Sequence, residues 1–338
     1  MVLTRPQVLF QCLCYPHFAV LWLVSLAIGE IWPSFIGSAK LSVMGCECDP
    51  VYHVGMEAGT LQWLSREQDR ATLPGGVLLI AFTGWMDGGE VSTGTVNRLI
   101  ELLEAEAVAS IDAEGYYLYA FPGSMEISAL FRPMIRVEDG LLVSHEPPSN
   151  VFYCDTEHQL AMFVGKEPNF NWRSFSDHLM RFATETGVAK IIFVGSFGGA
   201  VPHTREPRLY FSVSTEDLLD EAGAYGLRPS NYTGPGSFAS YLLAEAKHRG
   251  IPMINMVAEI PGYLQGRNPL SIEAVSRRLA AILKLPLQLD ELRDESNDWE
   301  SRVTKAVEED DDLAEQVRKL EIDYDDELIS EESGGKDS

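Results

Sequence analysis

The chain has little of what usually announces a chemistry. Its five cysteines stand at positions 12, 14, 46, 48 and 154, as two Cys-x-Cys pairs near the start and one residue further on. There is no Cys-x-x-Cys pair, no Cys/His zinc spacing and no set for a disulfide framework, so a reducing compartment, no structural metal and a fold held by its core are expected. Basic residues are scarce too: 26 Lys and Arg face 50 Asp and Glu, for a net charge of -24, and no basic stripe breaks the pattern. Nucleic-acid backbones are bound mainly through Lys and Arg on phosphates, so that class of partner is excluded. The glycine fingerprints of dinucleotide and P-loop sites are missing. The Gly-x-Ser-x-Gly nucleophile elbow is missing at Ser196, where the order is Gly195-Ser196-Phe197-Gly198.

What is present is a globular composition, 46% hydrophobic with 22% charged residues over 338 positions, enough for a large core. The acidity is lopsided, since residues 290–338 hold 20 acidic against 6 basic side chains. Residues 18–28 form an uncharged apolar run, too short to span a bilayer and interrupted by Pro16, Glu30 and Pro33. The favoured reading is a translation start at Met44 or Met56, with a misassigned or poorly ordered extension over residues 1–55 and a cytoplasmic protein. The alternative is an export or tethering signal.

From Pro74 onward, strands and helices alternate. Residues 77–82 read as an apolar strand, 83–89 as a glycine-rich loop and 90–105 as a crossover helix with Val91, Val96 and Leu99 at helical spacing. Residues 116–121, 141–143, 151–153 and 160–164 read as short strands. A helix over 172–186 is closed by Gly187, a strand starts at Ile191, a helix is capped at Ser214, another covers 236–248, a strand covers 252–257 and a helix 271–283. Beyond Leu292 a polar helix carries a stripe of Trp299, Val303, Val307, Leu313, Val317 and Leu320. The expected organisation is an α/β domain over 73–292, a helical segment over 293–321 and an acidic disordered tail over 322–338.

The most informative stretch is 191–205, a β-branched run that empties into a loop carrying His203 and Arg205. Ligands of open α/β sheets gather beyond the carboxyl ends of such strands. Two readings stand level there: a ligand or partner site, or a tight connection whose His203 and Arg205 pair with a carboxylate such as Glu167. Trp85 and Asp87 in the first βα loop read as a packing residue and a helix cap, because Asp87 would repel a phosphate at that helix start. Glu167 and Arg173 flank another loop that opens a helix. Tyr232 and Pro235 lie in a loop leading to a helix N-terminus, which can accept an anion or a carbonyl oxygen.

In order, Phe82-Thr-Gly-Trp-Met-Asp-Gly-Gly, Gly165-Lys-Glu-Pro with Trp172, Gly187-Val188, Pro202-His-Thr-Arg205, Tyr232-Thr-Gly-Pro235, Gly250-Ile-Pro252 and Pro261-Gly-Tyr263 resemble the proteasome assembly chaperone 2 family in its bacterial and archaeal branch. The resemblance covers about Leu73 to Leu292. It implies a three-layer α/β/α sandwich with a mixed sheet, similar to the purine nucleoside phosphorylase-like fold, plus a C-terminal helical extension. It also implies homo-oligomers and protein partners such as proteasome-like subunits; no cofactor is expected, because no phosphate-binding or metal-ligand set is found. Archaeal relatives carry a hydrophobic-Tyr-x tail that this chain lacks: it ends Gly335-Lys-Asp-Ser338, and its Ile322-Asp323-Tyr324 is internal and in a different order. The expected function is thus a binding or assembly-chaperone-like module. An enzyme acting on a small polar ligand is the alternative, and an ATP-grasp-type ligase, for which no set of phosphate and magnesium ligands is found, comes third.

Overall fold

A computed structural model describes residues 59–334 of the chain, without the side chains of 331–334. The apolar run at 18–28 and the alternative starts at Met44 and Met56 lie outside the described residues. In chain order the elements are β1 (Leu61–Trp63), β2 (Val77–Thr83), α1 (Val91–Leu102), β3 (Glu106–Ile111), α2 (Met125–Ala129), β4 (Met134–Glu138), β5 (Leu141–Glu146), β6 (Val151–Asp155) and β7 (Leu160–Lys166). There follow α3 (Trp172–Thr186), β8 (Lys190–Gly199), β9 (Arg208–Val213), α4 (Leu218–Ala224), β10 (Arg228–Pro229), α5 (Phe238–Arg249), β11 (Met253–Pro261), α6 (Pro269–Leu283), α7 (Asp290–Glu308) and α8 (Asp311–Gly334). Tyr119–Arg132 belong to one compact unit, in which Phe121 and Phe131, on either side of α2 in the chain, stack their rings 5.0 Å apart. All other described residues form the second unit.

That unit is built on a nine-stranded mixed sheet of order β1-β3-β6-β7-β2-β8-β11-β9-β10. Its middle strands β7, β2, β8 and β11 run parallel, and β9 pairs antiparallel with β11. Strand β2 shows why the layers form. With a side-chain period of two, Leu78, Ile80 and Phe82 enter one core with Phe175, Leu179 and Phe182 of α3 and Phe238 and Leu242 of α5. Leu79 and Ala81 enter the other, with Val96 and Leu99 of α1 and Ile272, Val275 and Leu279 of α6. Both faces are covered, which is what a continuous apolar strand requires. The result is the three-layer α/β/α sandwich with a C-terminal helical extension.

Helix boundaries follow local chemistry. Gly187 ends α3 at φ 83°, where a side chain would be strained, and the Ser237 hydroxyl accepts the Ser240 N–H at 3.2 Å to start α5. The Asn268 side chain caps α6 through the Ser271 N–H at 3.0 Å, with Pro269 in the first turn.

Three expectations are corrected. Residues 116–121 are not a strand: Tyr116 and Tyr117 are buried in a turn, because their hydroxyls reach Gly59 O (2.9 Å) and Asn150 Oδ1 (2.6 Å) and pin irregular backbone. Ser214 caps no helix; its hydroxyl donates to Ile251 O at 3.0 Å and accepts the Met253 N–H at 2.9 Å, so it joins a chain crossing instead. The acidic tail is not disordered from residue 322, since α8 runs on to Gly334, with Val317 and Tyr324 buried and its carboxylates on arginines. Charge alone predicts solvation only where no cation is waiting.

Candidate functional site at the carboxyl edge of the sheet

Strands β2 and β7 end in register at Thr83 and Lys166, and β8 and β11 at Gly199 and Pro261. The loops that follow carry most of the residues singled out in the sequence. Glu167 is a clamp between two of them. Its Oε2 accepts the Trp85 N–H at 2.9 Å, its Oε1 accepts the Phe238 N–H at the start of α5 at 2.8 Å, and its own N–H donates to Thr83 O at 2.9 Å. The α5 N-terminus thus already holds an anion, supplied by the chain itself. Gly84 makes the clamp possible: at φ 141° it approaches so closely that a Cβ would lie 2.9 Å from the Glu167 side chain.

Asp87 is buried at the start of α1, as the cap reading implied. Its Oδ1 accepts the Thr93 N–H at 3.0 Å and its Oδ2 the Thr93 hydroxyl at 2.7 Å. Burial, opposed by these bonds and reinforced by Glu90, pushes the carboxyl from 3.8 up to about 7. Around it the backbone is fastened to β8: Ser196 donates its N–H to Met86 O at 2.8 Å and its hydroxyl to Gly88 O at 2.7 Å.

His203 is fully buried and joins three segments. The Tyr263 hydroxyl accepts the His203 backbone N–H at 2.8 Å and lies 2.7 Å from Nδ1, while Nε2 lies 3.1 Å from the Thr304 hydroxyl on α7. Burial lowers the imidazole's pKa and pushes the Tyr263 hydroxyl up to about 12. The neutral ring fits this arrangement, with Nδ1 accepting from Tyr263 and Nε2–H donating to Thr304. Arg205 pairs with a carboxylate, but not Glu167: it grips Asp325 of α8 with Nε and one terminal nitrogen, each at 2.9 Å. Thr204 bonds Glu321.

Next to it Arg208 and Glu259, both buried, approach to 3.5 Å, and Glu259 also accepts the Ala200 N–H at 2.8 Å. Sequence reasoning passed over Arg208 and Tyr210 because β9 was not read as a strand, although the run Leu209-Tyr210-Phe211-Ser212-Val213, framed by Pro207 and Ser214, was the available signal, and it passed over Glu259 because the strand read over 252–257 stops short of it. The remaining candidates are not drawn into this network. Arg173 is exposed on α3, and Tyr232 is exposed, its hydroxyl donating to Pro235 O at 3.1 Å within its own loop. Cys154 is buried in β6, and burial pushes its thiol up to about 12, which makes it inert.

Layer order, strand order and these joints define a three-layer α/β/α protein whose carboxyl-edge loops are locked to one another and to a C-terminal helical pair. The chain belongs to the PAC2 family, which it matches over residues 81–307. Among solved structures it is similar to a proteasome-assembly chaperone homologue of Mycobacterium tuberculosis, at 28% identity and TM-score 0.62 over 71% of this chain and 99% of the other. It is also similar to a PAC2 family protein of Streptomyces avermitilis, at 28% identity and TM-score 0.61 over 72% of this chain and 99% of the other. The fold is shared with an archaeal proteasome activator of Pyrococcus furiosus, at 20% identity and TM-score 0.55 over 74% and 99%. No curated protein matches the chain. Among the described residues no helix is long and apolar enough to cross a membrane.

Proposed function

We propose that this protein is a cytoplasmic, homo-oligomeric protein-binding module that works in the manner of an assembly chaperone. The observation that carries this reading is the β4–β5 hairpin. Met134, Ile135, Val137, Leu141, Leu142 and Val143 are all exposed there, Leu141 at 72%. A two-stranded hairpin with apolar residues on both faces is marginal in water and calls for a covering surface. Its Arg136 and Glu138 pair at 3.0 Å, so one strand offers a cation and an anion together. That suits a self-complementary contact, in which the same patch serves both copies. The carboxyl edge supports the same reading from the other side, since Glu167, His203 and Arg205 act as joints that hold loops for contact. The Mycobacterium tuberculosis relative, described as a proteasome-assembly chaperone homologue, supports extending the partners to proteasome-like subunits.

The test is sedimentation equilibrium of the full chain against a Val137→Glu/Leu142→Glu variant. Both side chains are more than half exposed, so their replacement should leave the thermal midpoint within error. The native chain is expected to self-associate at micromolar concentration and the variant to associate far more weakly, by the loss of the hairpin contact. A monomeric native chain, or equal association by both, overturns the reading.

A further inference from the structure

We propose that the face of β9, β10 and the preceding loop is a receptor for an acidic helix, filled here by the chain's own α8, and that α8 of a second copy docks there by reciprocal exchange. This surface is separate from the hairpin, and the inference goes beyond the reading given for it.

The receptor is basic where the chain as a whole is acidic. Arg205, Arg208 and Arg228 come from three neighbouring segments, and each meets a carboxylate of one helix: Arg205 meets Asp325 at 2.9 Å and Glu321 at 3.8 Å, Arg228 meets Glu327 at 3.0 Å, and Arg208 meets Glu327 as well. Between the carboxylates Tyr324 lies under the Arg208 guanidinium, 4.4 Å from ring centre to Cζ, and donates its hydroxyl to Glu206 O at 3.1 Å. Glu321, Tyr324, Asp325 and Glu327 are the α8 residues that meet the surface, spaced three, one and two residues apart within two turns. Glu-x-x-Tyr-Asp-x-Glu is therefore the pattern the surface reads. This chain supplies that pattern itself, which is why the occupant is a second copy's α8.

The helix is held in a way that allows exchange. Among its described side chains only Val317 and Tyr324 are buried; the other anchors are ion pairs 28–46% exposed on the helix side, which salt screens. It joins α7 through a break at Glu309 and Asp310, where Asp310 Oδ1 accepts the Asp312 and Leu313 N–H groups at 3.1 Å each. A change at this joint redirects α8 without touching the sheet. The apolar part of the seat is small and its register is set by charge, so the same contacts form in cis or in trans.

The experiment mixes two full-length chains that both carry Val137→Glu/Leu142→Glu, so that the hairpin takes no part. One bears Arg205→Glu/Arg228→Glu and the other Asp325→Lys/Glu327→Lys. Each alone has a mismatched helix and surface, whereas the exchanged pair is complementary at both seats. Sedimentation velocity at tens of micromolar is expected to show monomers separately and a heterodimer on mixing, with at least a tenfold gain in association. Two monomers in the mixture overturn the proposal. A second arm leaves the arginines and all the α8 charges except Glu321 in place: in full-length chains whose Cys12, Cys14, Cys46 and Cys48 are replaced by Ser, a Thr204→Cys chain mixed with a Glu321→Cys chain under mild oxidation should give a disulfide-linked heterodimer. A chain with the cysteine at exposed Asp312 should not. Equal linkage at both positions also overturns it.

Discussion

A Phe82→Ala chain is expected to lose about 3–5 kcal/mol of folding stability, the cost of emptying a large aromatic site in a core that cannot fully collapse. Phe82, next to last in β2, is at the centre of a ring cluster, 5.5 Å from Phe163, 5.4 Å from Phe238, 6.1 Å from Phe175 and 6.2 Å from Phe193. These rings come from β7, α5, α3 and β8, so the loss is spread over four elements and the neighbours cannot close the gap together. It also loosens the end of β2, from which Gly84 extends and to which the Glu167 N–H, just past β7, is bonded at Thr83 O. Urea denaturation of native and variant chains measures the effect as a lower midpoint at unchanged slope. A loss under about 1 kcal/mol would mean that the cluster is not packed as described.

Asp87 should make stability depend on pH in the opposite sense to an ordinary paired carboxylate. Its folded pKa lies near 7 against 3.8 when exposed, so between those values the folded chain keeps a proton that the unfolded chain releases. Stability contributed by this group is therefore complete below about pH 4 and is lost as pH rises through about 7. The span corresponds to on the order of 4 kcal/mol. Asp87→Asn keeps the acceptor for the Thr93 N–H and removes the titration. The variant should match the native chain near pH 4, gain on it steadily up to about pH 7 and level off by pH 8. A constant difference across that range would place the Asp87 carboxyl at its ordinary value and remove the role of burial.

The sequence revealed the elements whose cause is local. Val77–Thr83 and Lys190–Gly199 are strands because their apolar runs face two cores, and Gly187 and Gly250 stop helices because they take left-handed backbone. The stripe through Val307 and Val317 faces inward as its spacing implied. What was hidden depends on partners distant in sequence. Arg205 finds its carboxylate 120 residues away and His203 its hydroxyls 60 and 101 residues away, so neither spacing nor composition could name Asp325, Tyr263 or Thr304. Glu167 was visible as a residue at the right loop, but its work, gripping the Trp85 and Phe238 amides, follows only from how β2, β7 and α5 converge. The β4 strand, whose Met134, Ile135 and Val137 sit outside any core, was missed, although its equally exposed partner β5 was read over 141–143.

That exposed strand is where the account is most directly tested. Amide hydrogen exchange across residues 134–146 should be measured on the full chain at concentrations spanning submicromolar to tens of micromolar. The hairpin amides are expected to gain protection as concentration rises, while those of β2 and β8 stay protected throughout. Rapid exchange at 134–146 that is the same at every concentration would contradict the claim that this hairpin is the surface on which copies of the protein meet.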